Sequence, residues 1–148
     1  MIQRIQSIYL LSSIVFLLIC FFTAFGEVGG ATIGMYHSVD AIGNLIPATS
    51  YYVYVPITLV MVINALALFS YKNRPRQMMW IRLSFIVLAT VFALSALTIM
   101  GVKSQAADEV MVPGMALVTP FFAFACNYLA LRAIRKDEEL VRSVNRIR

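Results

Sequence analysis

The sequence predicts an all-α, integral membrane four-helix bundle, with both termini cytosolic and the fourth helix extended into the cytosol. Three observations predict it. First, 61% of the 148 residues are hydrophobic and only 13% are charged, where a soluble domain carries about a quarter charged residues. Second, the apolar residues fall into four charge-free blocks, at 5–26, 51–71, 83–102 and 113–131. At about 1.5 Å rise per residue, a helix of roughly twenty residues crosses the ~30 Å hydrocarbon core. Third, the basic residues are lopsided. Four spans place the start, the 72–82 hinge and the tail on one side, with eleven of the twelve basic residues and three acids. The other side receives Lys103 alone, with Glu27, Asp40, Asp108 and Glu109. An excess of Lys and Arg marks the cytoplasmic face.

The first block, 5–26, follows a short basic start ending at Arg4. Ala24-Phe25-Gly26 offers a small-residue cleavage site, but a signal peptide's apolar core runs only about 7–15 residues. A retained span is therefore expected. Leu17-Leu18-Ile19-Cys20 is a poor acylation box, because Ile19 is bulky. Residues 27–50 are glycine-rich and weakly polar, which predicts a loop with a short helix or hairpin at the membrane surface. Tyr51, Tyr52 and Tyr54 then form an interfacial aromatic belt at the mouth of the second block. Pro56 and Pro120, inside the second and fourth blocks, are candidate helix kinks.

The hinge between the second and third blocks carries Lys72, Arg74, Arg76 and Arg82 and no acid. A Lys or Arg at mid-membrane costs about 2.5–3.5 kcal/mol, so this segment is expected in water. With Arg132, Arg135 and Lys136 at the head of the tail, these residues are expected to set the topology. Residues 103–112 predict a short turn, and 132–148 a helical tail that continues the fourth span. In that tail Arg135 with Glu139, and Glu138 with Arg142, are opposite-charge pairs four residues apart. Cys20 and Cys126 fall at different depths in their spans, too far apart for a disulfide.

Asn64-Ala-Leu-Ala-Leu in the second span echoes Asn127-Tyr-Leu-Ala-Leu in the fourth, with Pro56 and Pro120 at similar offsets upstream. Met1-Ile-Gln-Arg4 echoes Met79-Trp-Ile-Arg82 before the third span. The pattern suggests two hairpins related by a repeat. An amide in lipid needs a partner, so Asn64 and Asn127 are expected to face the bundle as interhelical polar contacts.

Little here points to chemistry. Proton-coupled export generally uses a carboxylate inside the membrane, and no span contains one. Haem between helices needs axial ligands such as histidine, and His37 is the only histidine and lies in a loop. His37, Asp40 and Glu27 make at most a weak exterior metal site. There is no C-x-x-C and no Cys/His cluster. No catalytic residues, no metal and no cofactor are therefore expected. The basic tail carries interspersed acids and is tethered to a membrane. It suits anionic lipid headgroups, a protein partner or a second copy of the chain better than nucleic acid.

Phe69-Ser-Tyr-Lys-Asn-Arg74, Leu131-Arg-Ala-Ile-Arg-Lys-Asp-Glu-Glu-Leu-Val-Arg-Ser143 and the opening Met1-Ile-Gln-Arg-Ile-Gln-Ser-Ile-Tyr-Leu10 resemble a family of small four-span bacterial inner-membrane proteins. That family is catalogued as a domain of unknown function and found mainly in Bacteroidota. The resemblance covers nearly the whole chain and implies a bacterial inner-membrane location, with no assigned activity and no functional residues to carry over. Such proteins typically end Ser-Ala-Asp-Arg-Leu-Arg. Here the end is Ser143-Val-Asn-Arg-Ile-Arg148, without that acidic position.

The functional expectation is a non-catalytic scaffold or accessory subunit that docks through its charged C-terminal helix. The alternative is a small transporter or channel subunit acting as an oligomer, with Pro56, Pro120, Asn64 and Asn127 along a path. The topology has a direct test. A tag on either terminus should resist protease added outside intact spheroplasts. Cleavage at either tag would invert or recount the spans.

Overall fold

In a computed structural model, the structure describes residues 2–28, 31–33, 37–39, 45–47, 51–71, 73–105 and 111–146. Four helices dominate: α1 (Ile2–Phe22), α2 (Tyr51–Phe69), α3 (Arg74–Gln105) and α4 (Met115–Arg146). Each is long and apolar enough to cross a membrane. α1 packs on α4 and α2, and α3 packs on α2 and α4, so the four close a ring.

All four helices bury residues at alternating spacings of three and four. On α1 the buried line is Gln6, Leu10, Ser13, Leu17 and Cys20. On α3 it is Gln77, Ile81, Ser84, Leu88, Val91, Ser95 and Thr98. Such spacing keeps one narrow seam facing a neighbour along a left-handed bundle. The seam is the more polar face. Outside it stand Phe22, Val55, Phe69, Ile86, Phe121 and Phe122, all exposed. A hydrocarbon surround exerts no hydrophobic drive between helices, so small and polar side chains hold the contact.

The α1–α4 contact shows how this works. Ala116, Ala123 and Ala130 recur every seven residues on α4 and are fully buried. Without bulk there, α1 comes close enough for its side chains to reach α4's backbone. Ser13 Oγ donates to the Ala123 carbonyl at 3.2 Å, and Cys20 Sγ to the Ala116 carbonyl at 3.3 Å. Aromatic pairs flank the seam, Phe16 on Phe122 at 5.3 Å and Phe92 on Phe121 at 4.6 Å between centroids. Both cysteines are free. Cys20 lies level with Ala116, ten residues and about 15 Å along α4 from Cys126.

Two boundaries differ from the sequence reading. The hinge is not a loop throughout, because α3 starts at Arg74 and the hinge residues from there to Arg82 form its opening turns. Asn73 precedes the first helical residue, and its carbonyl accepts the first helical bond, from Gln77 N at 3.0 Å. Asparagine favours that cap position, and Pro75 costs nothing in a first turn, where its missing N–H has no partner to lose.

The segments between α1 and α2 and between α3 and α4 form a sheet as well as loops. β1 (Gly26–Val28), β2 (Ala31–Ile33), β3 (His37–Val39), β4 (Leu45–Pro47) and β5 (Met111–Pro113) pair in the order β4-β3-β2-β1-β5. All four pairings are antiparallel. The expected short turn after the third span thus contributes a strand, with Glu27 opposite Val112. Both edge strands end in a proline, Pro47 and Pro113, which blunts pairing with another chain. Asp40, Asp108 and Glu109 lie outside the described residues, as does the side chain of His37, and with them the weak exterior metal site.

β5 leads into α4 through Gly114, and there the backbones of α1 and α4 lock together. Gly114 N donates to the Phe25 carbonyl at 2.8 Å, and Ala116 N to the Ala24 carbonyl at 3.2 Å. The end of α1 therefore satisfies amides that α4's first turn leaves open. A Cβ on residue 114 would overlap the Ala24 carbonyl oxygen and stand 2.9 Å from Gly26 N. These are backbone atoms with little room to give. Gly114→Ala is expected to destabilise the protein by about 1–3 kcal/mol, read as a lowered midpoint in denaturant titration of the detergent-solubilised chain. A wild-type midpoint would contradict the close approach.

Candidate functional site

With no charged group in the apolar blocks, the polar atoms of the seam and the ion pair at its tail end are the candidate site. Asn64 on α2 and Asn127 on α4 are fully buried. Asn64 Nδ2 donates to Ser13 Oγ at 3.0 Å, and Ser13 passes its own proton on to Ala123. Asn127 Nδ2 donates to Ser84 Oγ at 3.1 Å, and Ser84 donates to the Ile81 carbonyl at 2.7 Å. Each asparagine thus joins the helix preceding it in sequence, α2 to α1 and α4 to α3. The serine uses its lone pair for the amide and its proton for a backbone carbonyl, so neither function is wasted.

These bonds give the internal echo a structural register. Ser13 corresponds to Ser84, and in the same register Gln6 corresponds to Gln77, both buried. The match between Arg4 and Arg82 is displaced from this by seven residues, one heptad, which keeps the helix face and changes the level. The serines drew no notice in the sequence because span serines most often bond their own helix. Ser95, Thr90 and Thr58 do so here, at 2.6–2.9 Å. Thr98 also bonds back, to Leu94, which leaves its lone pair to accept from Tyr52 OH at 3.3 Å across the α2–α3 contact.

Among the described residues, several buried polar atoms make no hydrogen bond within the protein, including Asn64 Oδ1, Asn127 Oδ1, Gln6 Nε2 and Gln77 Oε1. Pro56 lies half-buried within α2, and Pro120 is buried within α4.

At the tail end, Arg74 meets Asp137. Nη2 lies 2.9 Å from Oδ2, and Nη1 donates to the Asp137 backbone carbonyl at 3.3 Å. Asp137 is one heptad beyond Ala130 on the seam, and it is buried. Sequence reasoning missed this pair, having read Arg74 as one of several topology-setting charges. A signal was present in the seven-residue spacing of Ala116, Ala123, Ala130 and Asp137. Arg76, Arg82, Arg132, Arg135 and Lys136 are all exposed, and Lys72 lies outside the described residues. Among the described residues no group of three or more His, Cys, Asp or Glu is placed to hold a metal.

What this arrangement does chemically is hold four helices at fixed rotation and level. The Ser–Asn bonds have a quantitative test. A double-mutant cycle of Ser84→Ala with Asn127→Ala should return a coupling of about 0.6 kcal/mol, up to ~1.7. Additive single effects would contradict the contact.

A family model matches residues 2–147, and its description is "Domain of unknown function (DUF4293)". No curated protein matches the chain, and no solved structure does.

Proposed function

The chain belongs to that family of unknown function, and from this premise we propose a non-catalytic, multi-pass inner-membrane protein that serves as a scaffold or accessory subunit. Both termini are cytoplasmic in this reading, and the end of α4 is the docking element. One observation carries it. α4 continues as a single helix to Arg146, nine residues past Asp137, and Asp137 pairs with the first residue of α3. About 13 Å of helix therefore projects beyond the start of its neighbour. On it Leu140 and Val141 are 49% and 45% exposed. They lie beside Glu138 and Glu139 and past the level of the Arg74–Asp137 pair. Ile134, earlier on the same helix, is fully buried in the bundle and takes no part.

A transporter or channel subunit would draw on Asn64 and Asn127 as path-lining groups. Both are fully buried and donate to serines, which supports the scaffold reading over that alternative.

Removing residues 138–148 keeps the Arg74–Asp137 pair and should leave the membrane domain folded. A photo-crosslinker at Val141 should capture a protein neighbour that the same probe at the exposed, opposite-end Phe22 does not. Loss of that neighbour's co-purification on truncation is the expected outcome. An unchanged set of co-purifying proteins would overturn the reading.

A further inference from the structure

Four buried amide side chains keep one function open each. Asn64 Oδ1, Asn127 Oδ1, Gln6 Nε2 and Gln77 Oε1 have no hydrogen-bond partner within the protein, and all four residues are at most 4% exposed. The pattern occurs in both hairpins. Gln6 stands seven residues before Ser13 and Gln77 seven before Ser84, the two serines that the asparagines bond. Repetition at matched positions marks these open functions as part of the fold.

Their levels follow from the bonds between helices. On α1, Ser13 is level with Ala123 and Cys20 with Ala116, so Gln6 is level with Ala130. Ser13 also accepts from Asn64, which sets Asn64 at the level of Ala123. On α3, Ser84 is level with Asn127 and Arg74 with Asp137, so Gln77 is level with Ile134. Measured along α4, the open functions therefore fall at positions 123, 127, 130 and 134, and the Arg74–Asp137 pair at 137. At about 1.5 Å rise per residue, the steps are about 4.5–6 Å. Two groups that share one water, each about 2.8 Å from it, stand about 4.5–5.5 Å apart. Such steps are too long for a direct hydrogen bond and match a bridging water.

The chemistry of the open functions also calls for water. Asn64 Oδ1 and Asn127 Oδ1 are neighbours in this column, and both accept. Neither amide can turn over, because each serine has given its proton to a backbone carbonyl and needs a donor at its lone pair. A water donates to both oxygens. A second accepts from Gln6 Nε2 and donates on to Asn127 Oδ1 or Gln77 Oε1.

We propose that the interior of the bundle holds a row of ordered waters, running from the Arg74–Asp137 pair inward to Asn64 and bridging the four amides. The side chains of Arg74 and Asp137 are 26% and 11% exposed, so the row meets bulk water there. Past Asn64, Leu17, Val60 and Val91 are fully buried in one apolar cluster and close it. The Thr119 hydroxyl, beyond that point, meets the Cys20 thiol instead. The row is thus a blind recess open at the tail end, not a path across the bundle. About four waters lie within the ordinary complement, on the order of one buried water per 27 residues. The recess is independent of the docking reading, because none of its groups lies in the α4 extension.

Radiolytic footprinting of the full-length chain in detergent tests this. X-ray pulses generate hydroxyl radicals from ordered as well as bulk water, and mass spectrometry reads the oxidation of side chains beside them. Leu10 and Leu17 are the same residue type on one helix, and both are 0% exposed. Leu10 is level with the gap between Asn64 and Asn127, and Leu17 lies past the closed end. Leu10 should be oxidised severalfold more than Leu17. Gln6→Leu combined with Gln77→Leu keeps both serine–asparagine bonds, removes the amides between bulk water and Asn127, and should lower the Leu10 yield severalfold. The wild-type comparison decides whether or not that variant folds. Equal oxidation of Leu10 and Leu17 in the wild type would overturn the proposal. So would an undiminished Leu10 yield in the folded double variant. A thermal midpoint raised by sodium over potassium at equal ionic strength would also overturn it, by assigning the amide oxygens to a cation.

Discussion

Everything in this fold follows from one constraint: a polar atom between membrane helices has no bulk water to bond, so it must find a partner in the bundle. The bundle meets that constraint by burying Gln6, Ser13, Asn64, Gln77, Ser84 and Asn127 among the Leu, Ile, Val and Ala of the seam, while further Leu, Ile, Val and Phe cover the outside. The Ser13–Asn64 and Ser84–Asn127 bonds are its clearest expression. Each one fixes the rotation of two helices at once, because an amide and a hydroxyl meet only over a narrow range of facing angles. The alanines at 116, 123 and 130 perform the complementary task. They remove bulk where α1 must come within hydrogen-bond reach of α4's backbone.

The two ends of the bundle close in different ways. At the sheet end, backbone amides at the start of α4 bond to the carbonyls of Ala24 and Phe25, and Gly114 is the residue whose missing side chain permits it. β5 then pairs with β1, so two segments far apart in sequence share one sheet. At the tail end an ion pair takes over, with Arg74 and Asp137 holding the first residue of α3 to the seam of α4. Hydrocarbon favours neutral contacts within the core, and ionised groups enter where water can solvate their remaining faces.

The matched serine–asparagine bonds place the two hairpins in equivalent arrangements. That equivalence stops at the ends: the first hairpin's helices are joined by four strands, the second's by β5, and at the tail end α4 runs on past the start of α3. The asymmetric part with surface to offer is the α4 extension. The interior from which it extends is pinned by the two matched serine–asparagine bonds.

The sequence alone determined the four helices, each long and apolar enough to cross a membrane. These depend on local composition, since the cost of a charge or an open amide in hydrocarbon is paid residue by residue. It also showed the helical continuation of α4, written in its alternating charges. Tertiary structure decided the partners. Ser13 and Ser84 look like any span serine until helix rotation brings an amide to each. Asp137 reads as one acid in a mixed tail until the seam's seven-residue spacing carries it under Arg74. A hairpin within 27–50 was one of the two alternatives the sequence left open, because strands of three residues have too little pattern to choose between them, and β5 acquires its structure only when α1 and α4 bring it beside β1. Partner choice depends on the relative rotation and level of whole helices, and no local window of sequence contains either.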